Sequence, residues 1–145
     1  MQDQLSPVLE SAPVTTRRRT ILIIEDDEAV SDVLAVRLGR QGFQTRTASC
    51  GREGLALARA QRPDLVLLDL RLPDVDGFTI CQELVDDPVT SGTPVIILSG
   101  MERPDVIRRS RAAGCQYYVR KPYDPNALLI LINQAIHEVE ADRLA

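Results

Sequence analysis

The chain has 145 residues, 44% of them hydrophobic and 26% charged, a composition that fits one ordinary globular domain. A formal charge of −4 and a pI near 5.0 argue against a protein whose main work is coating nucleic acid. No apolar run approaches the ~20 residues of a membrane span, and the N-terminus lacks the apolar core of a secretory signal.

Residues 1–19 read as a flexible arm punctuated by Ser6, Pro7, Ser11 and Pro13. It ends in Arg17-Arg18-Arg19, expected to be a solvated lead into the first strand. From Thr20, short apolar runs alternate with longer amphipathic stretches. Ile21–Ile24, Leu65–Leu68 and Val95–Leu98 are unbroken apolar, as strands buried on both faces of a parallel sheet would be. Phe43–Ala48 alternates like an edge strand, and Tyr117–Val119 is a fifth candidate. Helices are predicted over Glu28–Arg40, Glu53–Ala60, Phe78–Val85, Pro104–Ala113 and Asn126 to about Ala141. In the first, Val30, Val33, Leu34 and Leu38 share a face. Gly42 and Gly114 serve as stops, while Pro104 and Asp124-Pro125 mark starts. Five βα units imply a doubly wound α/β domain over residues 20–141, with 142–145 as a tail.

Cys50, Cys81 and Cys115 are odd in number, widely spaced and without a CxxC pair. They argue for reduced thiols in a cytoplasm, against a disulfide framework or thiolate zinc site. A lone His137 offers no imidazole centre.

Ligands of open α/β sheets bind at the carboxyl ends of the strands. The first strand ends in Glu25-Asp26-Asp27-Glu28, the third in Asp69, the fourth in Ser99-Gly100 and the fifth in Arg120-Lys121-Pro122. Clustered carboxylates repel one another unless a cation answers them. With hard oxygens only, Mg²⁺ is the natural ion. Glu25, Asp26 and Asp69 are its candidate side-chain ligands, and the Arg71 backbone carbonyl offers one more. Lys121 is the only lysine in the chain, and its compact ammonium differs from a planar guanidinium. Carboxylate, Mg²⁺, hydroxyl and ammonium together suit a phosphoryl group, and a carboxylate can itself accept one as an acyl phosphate. Singly, each residue has a structural explanation: Asp27 as a helix cap, Ser99 as a turn residue, Lys121 as a solvated strand end. Their succession at strand ends favours function.

These motifs resemble the receiver domain of two-component response regulators, over about Thr20 to Glu140. The resemblance lies in Ile21-Leu22-Ile23-Ile24-Glu25-Asp26-Asp27, Asp64-Leu65-Val66-Leu67-Leu68-Asp69 and Leu72-Pro73-Asp74-Val75-Asp76-Gly77. It continues in Pro94-Val95-Ile96-Ile97-Leu98-Ser99-Gly100 and Tyr118-Val119-Arg120-Lys121-Pro122. It implies a flavodoxin-like five-stranded parallel sheet of order 2-1-3-4-5 flanked by five helices. It implies Asp69 as phosphoacceptor, charged by a phosphohistidine on a sensor histidine kinase or phosphotransfer protein. Glu25 and Asp26 would hold Mg²⁺ with the Arg71 carbonyl, and Lys121 would pair with phosphoryl oxygens across a cis Lys121-Pro122 bond. Ser99 would swing toward the phosphoryl group and Tyr118 would turn inward, switching the surface of helix 4, strand 5 and helix 5. That surface could bind a downstream protein or form a homodimer.

Two features belong to this chain. Arg71 and Met101 lie beside the expected path of the attacking water, where an apolar Met101 would slow acyl-phosphate hydrolysis; a solvent-exposed loop methionine is the alternative. Leu128–Ile132 is more apolar than one sheet-facing stripe requires, so Leu129 and Ile130 are candidates for a partner surface. Arg108, Arg109 and Arg111 make helix 4 basic, ordinarily a solvated face.

The favoured function is a phosphorylation-controlled switch that works by binding protein and is not an enzyme, with no direct nucleic-acid contact by this chain. A degenerate receiver acting as a scaffold is one alternative. A haloacid-dehalogenase-like phosphatase is another, disfavoured because Arg71 stands where a second acid is needed.

Overall fold

The computed structural model describes residues 17–101 and 103–144. Five parallel strands, β1 (Thr20–Ile24), β2 (Gln44–Ala48), β3 (Leu65–Asp69), β4 (Val95–Ser99) and β5 (Tyr117–Arg120), lie in the order β2-β1-β3-β4-β5. The helices between and after them are α1 (Glu28–Arg40), α2 (Gly51–Gln61), α3 (Gly77–Asp86), α4 (Pro104–Ala112) and α5 (Pro125–Leu144).

Alternation along a strand explains the uniformly apolar runs. Leu22, Ile24, Val66, Leu68, Val95 and Ile97 face one layer with Ala58 of α2, Ile80 and Leu84 of α3 and Val106 of α4. Ile21, Ile23, Leu65, Leu67, Ile96 and Leu98 face the other, with Leu34 and Leu38 of α1 and Leu128, Ile132 and Ile136 of α5. Each central strand thus needs apolar side chains on both faces. On the edge strand β2, only Ala48 is buried.

Local signals placed most boundaries. The Asp27 carboxylate accepts from Ala29 N at 3.1 Å and Val30 N at 3.3 Å, capping α1 as expected. Gly42 and Gly114 take φ of 95° and 96°, a left-handed backbone open to glycine that ends the preceding helix. Pro104 opens α4.

Four expectations need correction. The α1 face turned to the sheet is Ser31, Leu34 and Leu38, whereas Val30 is exposed and Val33 is 58% exposed; the apolar stripe is narrower than the valines suggested. Helices α2 and α3 begin at Gly51 and Gly77, before Glu53 and Phe78, because carboxylates outside each helix satisfy their first amides. Helix α5 runs through Leu144, so there is no tail at 142–144.

Arg17 and Arg18 before β1 are exposed, as a solvated lead would be, but the three arginines are also tied to the fold. Arg17 Nη2 donates to Asp64 Oδ1 at 2.9 Å, and Arg18 donates to the Gly42 and Phe43 carbonyls at 3.3 and 3.1 Å. Arg19 pairs with Glu140 of α5 and lies 3.8 Å from Asp64. Asp64 also accepts from Thr20 N at 2.8 Å, pinning the start of β1. The remainder of the expected arm, residues 1–16, lies outside the described residues.

Strand register delivers the candidate residues to one end of the sheet. Ile24 pairs with Leu68, Asp69 with Leu98 and Ser99 with Arg120. The residues that follow β1, β3, β4 and β5 therefore meet at a common edge.

Candidate functional site

Lys121 is the hub of that edge. Its Nζ donates to Asp69 Oδ2 at 2.6 Å and to Glu25 Oε1 at 3.0 Å, joining groups 52 and 96 positions away in the chain. The lysine is held in place through its own backbone: Lys121 N donates to Ser99 O at 2.8 Å, and the Lys121-Pro122 peptide is cis. Asp69 is buried and both its oxygens are engaged, since Arg71 N donates to Oδ1 at 2.7 Å. The carboxylate plane is therefore fixed from two directions before any ligand arrives.

Glu25 is also buried, and Asp27 N donates to its Oε2 at 3.1 Å. Burial pushes its pKa up from 4.5 to about 7; the Asp27 amide and Lys121 hold it down, while Asp69 raises it further. Burial by itself would lower Lys121, but its hydrogen bonds to Asp69 and Glu25 and the charges of both more than offset this, and its pKa is raised. The two directions describe one condition: two buried carboxylates share a single ammonium, Lys121 sits closer to Asp69, and Glu25 is left under-compensated.

Asp26 lies exposed beside this pair, and among the described residues it takes no hydrogen bond. No three His, Cys, Asp or Glu side chains among the described residues converge as a metal-holding group. Glu25 and Asp69 are brought together; Asp26 is adjacent but does not close on them. The donor chemistry nonetheless suits Mg²⁺: carboxylate and carbonyl oxygens only, and an excess of buried negative charge at Glu25.

Ser99 is buried at the end of β4, where its Oγ accepts from Met101 N at 3.0 Å. Tyr118 is half-buried against the core under α2–α4, and its hydroxyl donates to Met101 O at 2.6 Å. Both expected switch residues thus hold the same loop residue, one by its N–H and one by its carbonyl. Met101 is itself half-buried and packs on that core, so it is not a solvent-exposed loop methionine.

Packing changes two further expectations, and the free thiols agree with the third. Arg109 is not simply solvated: it stands 4.1 Å over the Phe78 ring and 3.7 Å from Asp76, linking α4 to α3. Leu129 packs against the α1–α5 core, while Ile130 is 65% exposed. The cysteines Cys50, Cys81 and Cys115 are free, and burial pushes the Cys81 thiol up to about 12.

Sequence inspection missed Asp74, whose carboxylate accepts from Gly51 N at 2.8 Å and Arg52 N at 2.9 Å. Those amides hold it below the usual carboxylate range. A signal existed: Cys50, just before α2, supplies no side-chain cap, so the first amides of that helix had to find another acceptor.

The sequence model of the response regulator receiver domain matches residues 21–133. The chain belongs to the receiver-domain family of two-component response regulators. It is 37% identical over 120 residues to the DNA-binding dual master transcriptional regulator RpaA of Synechocystis sp., covering 83% of this chain and 50% of that protein. It is 35% identical over 123 residues to the transcriptional regulatory protein AfsQ1 of Streptomyces coelicolor, covering 85% and 53%. The receiver therefore spans about half the length of the curated relatives it matches. Among solved structures, the CheY-like response regulator receiver domain protein from Methanospirillum hungatei has a TM-score of 0.82 at 28% identity, with 87% of this chain and 99% of that one covered. The receiver shares the fold of that solved structure, and among the described residues no helix is long and apolar enough to cross a membrane.

Proposed function

We propose that this receiver accepts a phosphoryl group on Asp69 from a phosphohistidine of a sensor histidine kinase or phosphotransfer protein. The observation that carries the proposal is the buried Asp69 carboxylate, held by Lys121 Nζ at 2.6 Å and Arg71 N at 2.7 Å. An oxygen of Asp69 attacks phosphorus, the phosphorus–nitrogen bond of the donor breaks, and the imidazole leaves with the electron pair. Lys121, which donates to Asp69 at 2.6 Å, would meet the phosphoryl oxygens. Glu25, Asp26 and the Arg71 carbonyl are the residues that would hold Mg²⁺, which supplies charge neutralisation at the transferring group. The receiver would take part only in its own phosphorylation and dephosphorylation.

The response runs through Ser99, Met101 and Tyr118. New charge on Asp69 draws the Ser99 hydroxyl, which now accepts from Met101 N, and the displaced loop takes the Tyr118 contact with it. The surface of α4, β5 and α5 then has two arrangements whose balance phosphorylation shifts. A downstream protein or a second copy of the receiver would read that surface, in a cytoplasmic setting consistent with the free thiols. RpaA, the relative named as DNA-binding, is about twice as long as the stretch matched here.

Beryllofluoride, a phosphoryl mimic, tests this proposal. With Mg²⁺ it should shift the amide resonances of Ser99, Met101 and Tyr118 in the wild type and leave Asp69→Asn unchanged. Unmoved resonances in the wild type would contradict the switch.

A further inference from the structure

The loop from Leu70 to Gly77 carries the Arg71 main chain and is fastened at three places. At its start, Arg71 N donates to Asp69 Oδ1 at 2.7 Å. At its end, Gly77 N donates to Leu70 O at 3.2 Å, and a Cβ on Gly77 would lie 2.5 Å from Leu70 Cα, so the two backbones touch. Between them, Leu72 and Val75 rest half-buried on the core under α2–α4.

The third polar fastening is Asp74, which spends one oxygen on each of the first two amides of α2: Oδ1 on Gly51 N and Oδ2 on Arg52 N. Helix α2 has no cap of its own at Cys50. The contact is close, because a Cβ on Gly51 would lie 3.3 Å from Asp74 Oδ1 and 2.8 Å from Ile80 Cδ1. A bidentate charge-assisted bond to two fixed N–H groups determines the orientation as well as the position of the loop. The Arg71 carbonyl, on the same loop, belongs to the oxygen set assigned above to Mg²⁺.

We infer that Asp74 is a positioning residue for phosphoryl acceptance at Asp69: by clamping the loop to α2 it holds the Arg71 main chain toward the crevice. The inference rests on the function proposed above. A mere helix cap would contribute only to stability, whereas a positioning residue also sets the affinity of the crevice for Mg²⁺.

The experiment uses the full chain as wild type, Asp74→Ala, Asp74→Asn and Asp64→Ala, the last removing a clamp at the opposite end of the sheet. Mg²⁺ titration by calorimetry is run well below the melting temperature of every variant, together with amide exchange at Gly51, Arg52 and Arg71. Asp74→Ala should weaken Mg²⁺ binding about tenfold and speed exchange at all three amides. Asp74→Asn should fall between it and the wild type, since a carboxamide has a single acceptor oxygen for the two amides. Asp64→Ala should bind Mg²⁺ as the wild type does. If Asp74→Ala binds Mg²⁺ like the wild type while Gly51 and Arg52 exchange faster, Asp74 only caps α2 and the inference is overturned. The same follows if Asp64→Ala weakens binding equally. A wild type that binds no Mg²⁺ removes the proposed function as well, which separates the two failures.

Discussion

The Tyr118 hydroxyl donates to the Met101 carbonyl at 2.6 Å, tying edge strand β5 to the loop that follows Ser99. Met101 N meanwhile donates to the Ser99 hydroxyl at 3.0 Å. Any movement of Ser99 toward Asp69 must therefore be felt at Tyr118 through one shared residue. Tyr118→Phe keeps the ring and removes the bond. It should cost about 1 kcal/mol in denaturant unfolding and raise amide exchange at Met101, without changing Mg²⁺ affinity. Unchanged exchange at Met101 would show that the bond does not restrain the loop.

Met101 packs half-buried on the core under α2–α4 and lines a cavity with Leu70 and Arg71, the two residues that follow Asp69. Met101→Asp should shorten the half-life of the acyl phosphate several-fold, measured as the decay of phosphorylated protein after the donor is removed. An unchanged decay rate disposes of this role for Met101.

The pH dependence of stability follows from Glu25. Its pKa is raised in the folded state to about 7 from 4.5, chiefly by burial. Between those values the folded protein binds more protons than the unfolded chain, so stability is full below about pH 4.5 and declines as pH rises to about 7. The metal-free protein should lose at most about 3 kcal/mol over that interval, and Glu25→Gln should flatten the slope. Chemical denaturation across pH, in EDTA, provides the comparison; a slope unaffected by Glu25→Gln would assign the effect elsewhere.

Lys121 compensates the same charge. Lys121→Met leaves Glu25 and Asp69 without their shared donor, and should destabilise by about 2 kcal/mol at pH 8. At pH 5 the loss should be smaller, because Glu25 takes a proton instead. Equal losses at both pH values would mean that the ammonium does not answer Glu25.

What was legible in the sequence, and what was not, divides along physical lines. Ile21–Ile24, Leu65–Leu68 and Val95–Leu98 could be assigned because a strand covered on both faces has no polar position to hide. The strand-end residues Glu25, Asp69, Ser99 and Lys121 followed from that assignment, since a parallel sheet places all carboxyl ends together. Features that depend on long-range partners were harder to see. Val33 looked like core because it lies one position from Leu34, yet only the packing of α1 on β1 and β2 decides which face is covered. The partners of Arg17–Arg19 were not legible because Asp64, Glu140 and the Gly42 and Phe43 carbonyls are distant in the chain. The end of α5 was set too early because its exposed last turn carries no periodic signal. Asp74 was visible within the receiver motif, but its acceptor role required knowing where α2 begins.

The central claim is that Asp69 is a phosphoacceptor, and intact mass spectrometry after incubation with acetyl phosphate and Mg²⁺ tests it most directly. The wild type should gain one phosphoryl group, and neither Asp69→Asn nor an EDTA-treated sample should do so. A wild type whose mass stays unchanged, with no phosphate released, would contradict the claim and leave a receiver fold acting as a scaffold.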